Sequence, residues 1–556
     1  MSRAEYERWC SLVGDDEIKE ELAKMASSPE KIEEAFFRSL EFGTGGLRGI
    51  IGAGSNRMNI YTVKRATLGL AKYMLEKKLS PAVAIGYDTR IKSREFAECA
   101  ATVFESLGIR SYIFPKPYPT PLLSYATREL HCGAGIMITA SHNPKEYNGY
   151  KVYGADGAQI TDVAAAEILA KINECDCFDN VGEKSFRSCL DCGIVKCVSE
   201  DLITSFISTV SACGKLYGDS VDKSVKIVYT PLNGTGCLPV SRILAENGYK
   251  NLTVVAEQSE PDGNFPTCPY PNPEIPEALT LGLEYAKRCN AEILLATDPD
   301  CDRVGVAVKD GDSYKILTGN EVGILLLDYI ASQRRKHGDM PKSPVAVKTV
   351  VTTDLATSIA KKYGIEICDV LTGFKYIGET VGKLEVDGCA ERFVFGFEES
   401  CGYLSAPYVR DKDGVFGAYL VAEMTAFHKA KGKTLLEALR EIYAEFGYEK
   451  NSLYSYAFGG VSGADKMRGI MAEFRSTGTD FCGIPIKYTE DYSLGIKELP
   501  KSNVLKFFLD GDSTITLRPS GTEPKLKMYI SVRAKSAELA ESVTEKIKKA
   551  AESVII

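Results

Sequence analysis

Short apolar runs rich in Val and Ile recur along the chain in three groups of three. The first group is PAVAIGYDTR, IRSYIF and AGIMITASHNP. The second is VKIVYTPLNGTG, NLTVVAE and AEILLATDPDCDR. The third is PVAVKTVVTTDL, IEICDVLTGFK and RFVFGFEESCGY. Runs this short and this continuously apolar predict strands buried on both faces. Segments of helical spacing lie between them, such as REFAECAATVFESLG, which sets Phe96, Cys99, Ala100 and Val103 on one face. Strands alternating with helices predict α/β layers, largely parallel pairing and right-handed crossovers.

The C-terminal part follows a different rhythm. In KLKMYISVRA, Leu526, Met528, Ile530 and Val532 alternate with polar neighbours, which predicts a half-buried antiparallel strand. A helix is expected after it, with Leu539, Val543 and Ile547 on its inner face. The pattern divides into three similar α/β domains with mixed, largely parallel sheets and a smaller C-terminal α+β domain, around a central cleft. The expected spans are 1–215 with an N-terminal helical extension, 216–320, 321–450 and 451–556. Four units also suit 556 residues, at roughly 150 residues per domain.

Composition narrows the class of function. With 44% hydrophobic and 26% charged residues, the chain has an ordinary globular make-up. A net charge of -8 argues against a general nucleic-acid binder but leaves room for local basic pockets. No apolar run reaches the ~18 residues of a membrane span, and the charged N-terminus lacks the apolar core of a signal peptide. The 17 cysteines, an odd number scattered over the chain, suit reduced thiols and a cytoplasmic location. Cys175, Cys177, Cys189, Cys192 and Cys197 include a knuckle-like C-x-x-C spacing. Short motifs match readily by chance, so free thiols are the reading adopted.

The last strand of each group ends in a polar loop, and open α/β sheets bind ligands beyond the carboxyl ends of their strands. Three such loops would face one cleft. In DPDCDR, Asp298, Asp300 and Asp302 alternate, which turns three carboxylates to one side. Such a set repels itself unless a hard cation, Mg²⁺ or Ca²⁺, sits among the oxygens. An EF-hand is excluded by Arg303 and Lys309 at its glycine and glutamate positions. Arg303 would stand beside the metal and grip phosphate. In RPSGTEPK, Arg518 offers a planar fork of donors, Ser520 and Thr522 add hydroxyls, and Gly521 lets backbone N–H groups approach an anion; a polar hairpin turn fits the same residues. FGTGGLRGIIGAG matches neither the Walker nor the dinucleotide pattern, and Arg48 is its residue of interest. GFEESCGY supplies Glu398, Glu399 and Ser400 for sugar hydroxyls, with Lys375 and Lys412 as candidate partners if the glutamates are buried. TASHNP lacks the G-x-S-x-G of a nucleophile elbow, so Ser141 is either a phosphate carrier or a capping serine.

Taken together, TASHNP, DPDCDR, GFEES and RPSGTEPK resemble the phosphoserine, magnesium, sugar and phosphate loops of the α-D-phosphohexomutases, in that family's order and one per domain. The likeness spans about residues 40 to 535 and is nearest the large phosphoglucomutase and phosphopentomutase-like branch. It implies a phosphoryl group on Ser141, with Asp298, Asp300, Asp302 and a phosphoserine oxygen holding Mg²⁺. It implies reacting-group contacts from Arg48 and Lys151, with Lys412 as general acid or base. His142, Arg303, Thr372, Gly373, Lys375, Glu398 and Ser400 would contact substrate. Arg518, Ser520, Gly521 and Thr522 would hold the phosphate that is not reacting.

The implied reaction is a two-step interconversion of glucose 1-phosphate and glucose 6-phosphate. Glucose 1,6-bisphosphate would be its intermediate and activator, and small sugar phosphates its partners. A lysine base would need a depressed pKa. Cys401 departs from the bulkier residue many glucomutases carry there, and the family offers no role for the cysteine cluster. Pentose, mannose and amino-sugar phosphates stay open as substrates, as does a metal-dependent phosphatase or a non-enzymatic sugar-phosphate sensor. Glu399 favours glucose.

Overall fold

The three groups of apolar runs form three sheets of one plan. In the first, the strand Ala134–Ile138 lies between Ala82–Tyr87, its parallel neighbour, and Tyr147–Gly154, its antiparallel one. In the second, Ile293–Thr297 lies between parallel Ile227–Thr230 and antiparallel Val304–Asp310. In the third, Phe393–Glu398 lies between parallel Val345–Thr349 and antiparallel Gly402–Leu404. The remaining parallel strand of each repeat, Arg110–Ile113, Leu252–Val254 or Glu366–Val370, pairs on the far side of the first. The chain therefore reverses immediately after the third strand in every repeat. The loop at that reversal carries Ser141, the three aspartates or the two glutamates. The structure, a computed structural model, describes residues 2–43, 45–214, 221–458, 463–481, 483–496, 499–520 and 525–556.

The central strands owe their burial to their composition. Ala134–Ile138, Ile293–Thr297 and Val345–Thr349 are buried at every residue, as continuous Val/Ile/Leu runs require. The helix Ser93–Ser106 buries Phe96, Ala100 and Val103 on the expected face, with Cys99 half-buried at its edge. The helix Gly414–Ala430 is buried from residue 414 to 427 and packs against the helices Glu200–Gly214, Cys237–Glu246 and Gly319–His337. Asp413 caps it, accepting from the N–H groups of Val415 and Phe416 at 2.8 and 3.0 Å.

The C-terminal sheet is antiparallel at every pairing. It runs Tyr448–Ala457, Lys525–Ala534, Thr514–Pro519, Leu505–Leu509, Ile484–Asp491, Asp480–Phe481. Leu526, Met528, Ile530 and Val532 all face its core. The following helix, Ala537–Ile555, corrects one expectation: Leu539 stands in solvent, and the buried stripe is Ala540, Thr544, Ile547, Ala551 and Ile555. The stripe begins one residue later because Ser536 caps the helix, placing Leu539 in the exposed first turn.

Three N-terminal helices, Ser2–Leu12, Asp16–Met25 and Pro29–Phe36, close over Trp9, which meets Phe36, Tyr61 and Phe178 edge-on. Cys175, Cys177 and Cys189 are free and lie in three separate apolar clusters, while Cys192 and Cys197 are exposed, so the cluster in sequence is not a cluster in space. Among the described residues, no helix is long and apolar enough to cross a membrane.

Candidate active site

Ser141 leaves its strand in a left-handed conformation, φ 53°, a strained choice for a side-chain-bearing residue. Cys301 and Cys401 take the same conformation in the two equivalent loops. The twist is held in place. Ser141 N–H donates to Thr139 Oγ1 at 2.8 Å, and Thr139 donates to buried Asp88 at 2.6 Å. Arg90 donates to the carbonyls of Ser141 and Asn143, both at 2.5 Å, and of Pro144 and Tyr147 at 2.8 and 3.1 Å. The buried Ser141 hydroxyl then points across the cleft and donates to Asp298 Oδ2 at 2.9 Å. His142 Nδ1 lies 3.1 Å from Ser141 Oγ. Burial, with Arg303 and Arg48 nearby, keeps that imidazole neutral at ordinary pH. Arg48 lines the cleft beside it and donates to Asn143 Oδ1 at 3.4 Å.

Asp298, Asp300 and Asp302 converge as their alternate spacing requires, with one oxygen of each within 4.8 Å of the others, and all are buried. Among the described residues this is the one group of three or more such ligands. Asp300 Oδ1 and Asp302 Oδ1 are buried and accept no hydrogen bond. Oxygens left bare inside a protein are costly, and a hard cation would satisfy them. The donor set therefore fits Mg²⁺. Burial and the neighbouring Asp302 and Asp300 push Asp298 well above the carboxylate range. Burial also pushes Asp300 upward, but Lys151 and Lys412 outweigh it and hold that carboxyl well below the range.

Two lysines from different repeats bracket the triad. Lys151 Nζ lies 2.8 Å from Asp300 Oδ2, and Lys412 Nζ lies 2.9 Å from Asp302 Oδ2. These aspartates act against the depressed pKa that a lysine base would need. Burial pulls both ammonium groups down, but the aspartates outweigh it and hold both above the ordinary lysine value. Arg303 pairs with Glu274 at the edge of the triad.

The third loop faces the same cleft. Glu398 Oε1 accepts from the N–H of Gly373 at 3.0 Å. That residue has φ 120°, a conformation open to glycine, which turns the amide toward the carboxylate. Thr372 Oγ1 is buried without a hydrogen-bond partner. Burial pushes Glu398 up to about 7 against the pull of Lys412. Glu399 accepts from Thr349 and Thr352 at 3.3 and 3.2 Å, and Ser400 is half-buried behind it in the turn. The Lys375 ammonium pairs with Asp162 of the first repeat at 2.7 Å.

Arg518 stands half-buried one residue before the end of the strand Thr514–Pro519, opposite Lys527 in the antiparallel register. Burial pulls Lys527 below its ordinary value, and Arg518 adds to the effect, while Glu399, Glu274 and Arg303 are close enough to act on it. The C-terminal sheet thus brings two cations to the rim of the cleft. Ser520 follows, half-buried; Gly521 and Thr522 lie outside the described residues.

Models of three phosphoglucomutase/phosphomannomutase α/β/α domains, I, II and III, match residues 39–177, 204–311 and 318–446. The chain belongs to the phosphoglucomutase/phosphomannomutase family. Among curated family members, the phosphoglucomutase of Staphylococcus saprophyticus is 36% identical over 537 residues, covering 94% of this chain and 96% of that one. That of Staphylococcus aureus is 34% identical over 552 residues, covering 96% and 97%. Two solved family structures share the fold. The phosphoglucomutase parafusin of Paramecium, in its open form, superposes with a TM-score of 0.71 at 17% identity, covering 93% of this chain and 96% of that one. A family protein of Burkholderia thailandensis gives 0.67 at 18%, covering 92% and 97%.

Within this phosphohexomutase frame, several residues escaped the sequence reading. Arg90 clamps the serine loop through four carbonyls; its sequence signal is an arginine two residues past a buried strand-end aspartate, in YDTR. Thr120 donates to Asp300 Oδ2 at 3.0 Å and carries no local signal. Neither do Glu274, beside Arg303, or Asp411, beside Lys412.

Proposed function

We propose that this chain interconverts glucose 1-phosphate and glucose 6-phosphate through a phosphoryl group carried on Ser141, with glucose 1,6-bisphosphate as intermediate and activator. The observation that carries this reading is the Ser141 hydroxyl, 2.9 Å from a carboxylate triad and faced by Lys151, Lys412 and Arg303. Asp298, Asp300, Asp302 and an oxygen of the phosphorylated serine would hold Mg²⁺. Bound there, the ion supplies a Lewis acid that draws charge from the transferring phosphoryl group. In the first transfer the P–Oγ bond of Ser141 breaks as a P–O bond to the free sugar hydroxyl forms. With their charge engaged by a cation, the aspartates would loosen their hold on Lys412, which then takes the proton of the sugar hydroxyl while the freed Ser141 oxygen takes one from the cleft; in the return transfer Ser141 gives up that proton and Lys412 protonates the departing sugar oxygen. Arg48, Arg303 and Lys151 spread positive charge around the three phosphoryl oxygens. Glu398, Ser400, Thr372 and Gly373 would take sugar hydroxyls, while Arg518 and the segment 520–522 hold the idle phosphate. The division into four units near 215, 320 and 450 belongs to the same reading, with the last unit closing over the sugar.

The test is the lag phase with glucose 1-phosphate as sole substrate. Escape of the bisphosphate leaves Ser141 bare, so trace glucose 1,6-bisphosphate should shorten the lag with little inorganic phosphate released. Stoichiometric phosphate release, indifferent to bisphosphate, would make the chain a phosphatase.

A further inference from the structure

Lys412 reaches the triad from the third repeat, and its segment, RDKDG, is fastened on both sides. On the far side, Asp413 caps the buried helix and also accepts from Tyr408 at 2.6 Å. On the near side stands Asp411, 3% exposed. Its Oδ1 accepts from the backbone N–H of Lys412 at 2.8 Å and lies 3.4 Å from Lys412 Nζ. Its Oδ2 accepts from the hydroxyl of Tyr153 at 2.9 Å. Tyr153 is fully buried in the first repeat, on the strand Tyr147–Gly154. Lys151 and Tyr153 are two residues apart on that strand, so both side chains leave the same face. One strand therefore presents Lys151 directly to Asp300, and holds Lys412 through Asp411. The neighbouring N–H of Arg410 donates to Ser124 Oγ of the first repeat at 3.0 Å, a second fastening across the same seam. Gly402 leaves the space through which the Lys412 stem passes, since a Cβ there would meet Lys412 Cδ at 2.5 Å.

We propose that Tyr153 and Asp411 are positioning residues that set where the Lys412 ammonium stands over Asp302. Neither touches sugar or phosphate; they act through the lysine. The inference rests on the reading that Lys412 moves the proton of the sugar hydroxyl.

Tyr153→Phe keeps the buried ring and removes one hydrogen bond, and Asp411→Asn keeps the shape and removes the charge. Each should lower kcat by about 10-fold or more, as misplacement of a reacting group does, with KM for glucose 1-phosphate held within about two-fold. Rates are measured per folded enzyme, well below the Tm of each variant. The deciding measurement is a double-mutant cycle with Lys412→Met. If Tyr153 acts through the lysine, adding Tyr153→Phe to Lys412→Met should cost nothing further. An undiminished second loss in that background, or wild-type kcat in Tyr153→Phe, overturns the proposal while leaving the Lys412 reading intact. Wild-type kcat in Lys412→Met sinks the proton-transfer reading, and the proposal with it.

Discussion

The Asp298–Asp302 loop and the Glu398–Ser400 loop occupy the same corner of two repeated sheets, and both bury carboxylates. Their charge states differ because their neighbours differ. Around the aspartates stand Lys151 and Lys412 at ion-pair distance, and Asp300 is held ionised. Around Glu398 the nearest hydrogen-bond donor is a backbone amide, and burial pushes the carboxyl up to about 7. A repeat can thus keep its topology and change its chemistry by changing what crosses from the next repeat. Ionised oxygens suit a cation; a carboxyl near neutrality suits sugar hydroxyls, which need both donors and acceptors. The serine loop, at the third such corner, serves the aspartate side of this division through its bond to Asp298.

The largest effect should come from removing one charge on the aspartate side. Asp300→Asn should cut kcat by roughly 10³-fold, the scale of losing a transition-state stabilising group. Mg²⁺ should raise the Tm of the wild-type protein, and the variant should lose that rise. Without Mg²⁺, the variant should be less stable than the wild type, because Lys151 and Lys412 hold Asp300 ionised and the asparagine leaves buried Lys151 without its nearest counter-charge. A variant whose Tm still rises with Mg²⁺ as in the wild type would erase the contrast between the two loops.

Much of this was legible along the chain because strands and loops are local. Continuous Val/Ile runs marked the central strands, and alternating aspartates announced a convergent set. Contacts between repeats were not legible. Thr120 and Asp300 are 180 residues apart, and Tyr153 and Asp411 are 258 apart. The charge state of Lys151 was hidden for the same reason, since it depends on a carboxylate 149 residues away. Lys375 looked like a partner for the glutamates because it follows the Thr372–Gly373 loop. In three dimensions the helix Phe374–Val386 carries it to Asp162. Arg90 hid behind its ordinary setting; four carbonyls gather on it only once the loop has folded back.

A middle-sized effect should come from Glu398. Its ordinary value is 4.5 and burial raises it to about 7, so the folded protein keeps the proton over a range where the unfolded chain has released it. Stability from this group is therefore greatest at low pH. It falls as pH rises from about 4.5 to about 7, by on the order of 3 kcal/mol, and the cost is complete above that. Glu398→Gln cannot ionise, so its unfolding free energy should lose that slope and exceed the wild type's at pH 8. Its KM for glucose 1-phosphate should rise about 10-fold there, since the carboxylate's hydrogen bond to a sugar hydroxyl is the stronger kind. Chemical denaturation at pH 5 and pH 8 reads the first effect. Parallel slopes for variant and wild type would mean that Glu398 is ionised throughout, like Asp300.

The smallest effect is expected one residue on. The threonine hydroxyls Thr349 and Thr352 reach Glu399 by long hydrogen bonds, 3.3 and 3.2 Å. Burial raises its carboxyl above the ordinary value, so the folded protein already resists its charge. Glu399→Gln keeps the size and one acceptor oxygen, and the threonine hydroxyls can still donate to it. Bonds this long contribute toward the lower end of the usual range. kcat/KM for glucose 1-phosphate should therefore fall by only about three-fold, and kcat/KM for mannose 1-phosphate by less. The ratio of the two rates in one preparation is the quantity to measure, because it cancels errors in active fraction. A fall as large as that of Asp300→Asn would show that Glu399 is held ionised against burial. The two loops would then share one charge logic, and the cation dividing them would have to be sought nearer Arg518 and Lys527.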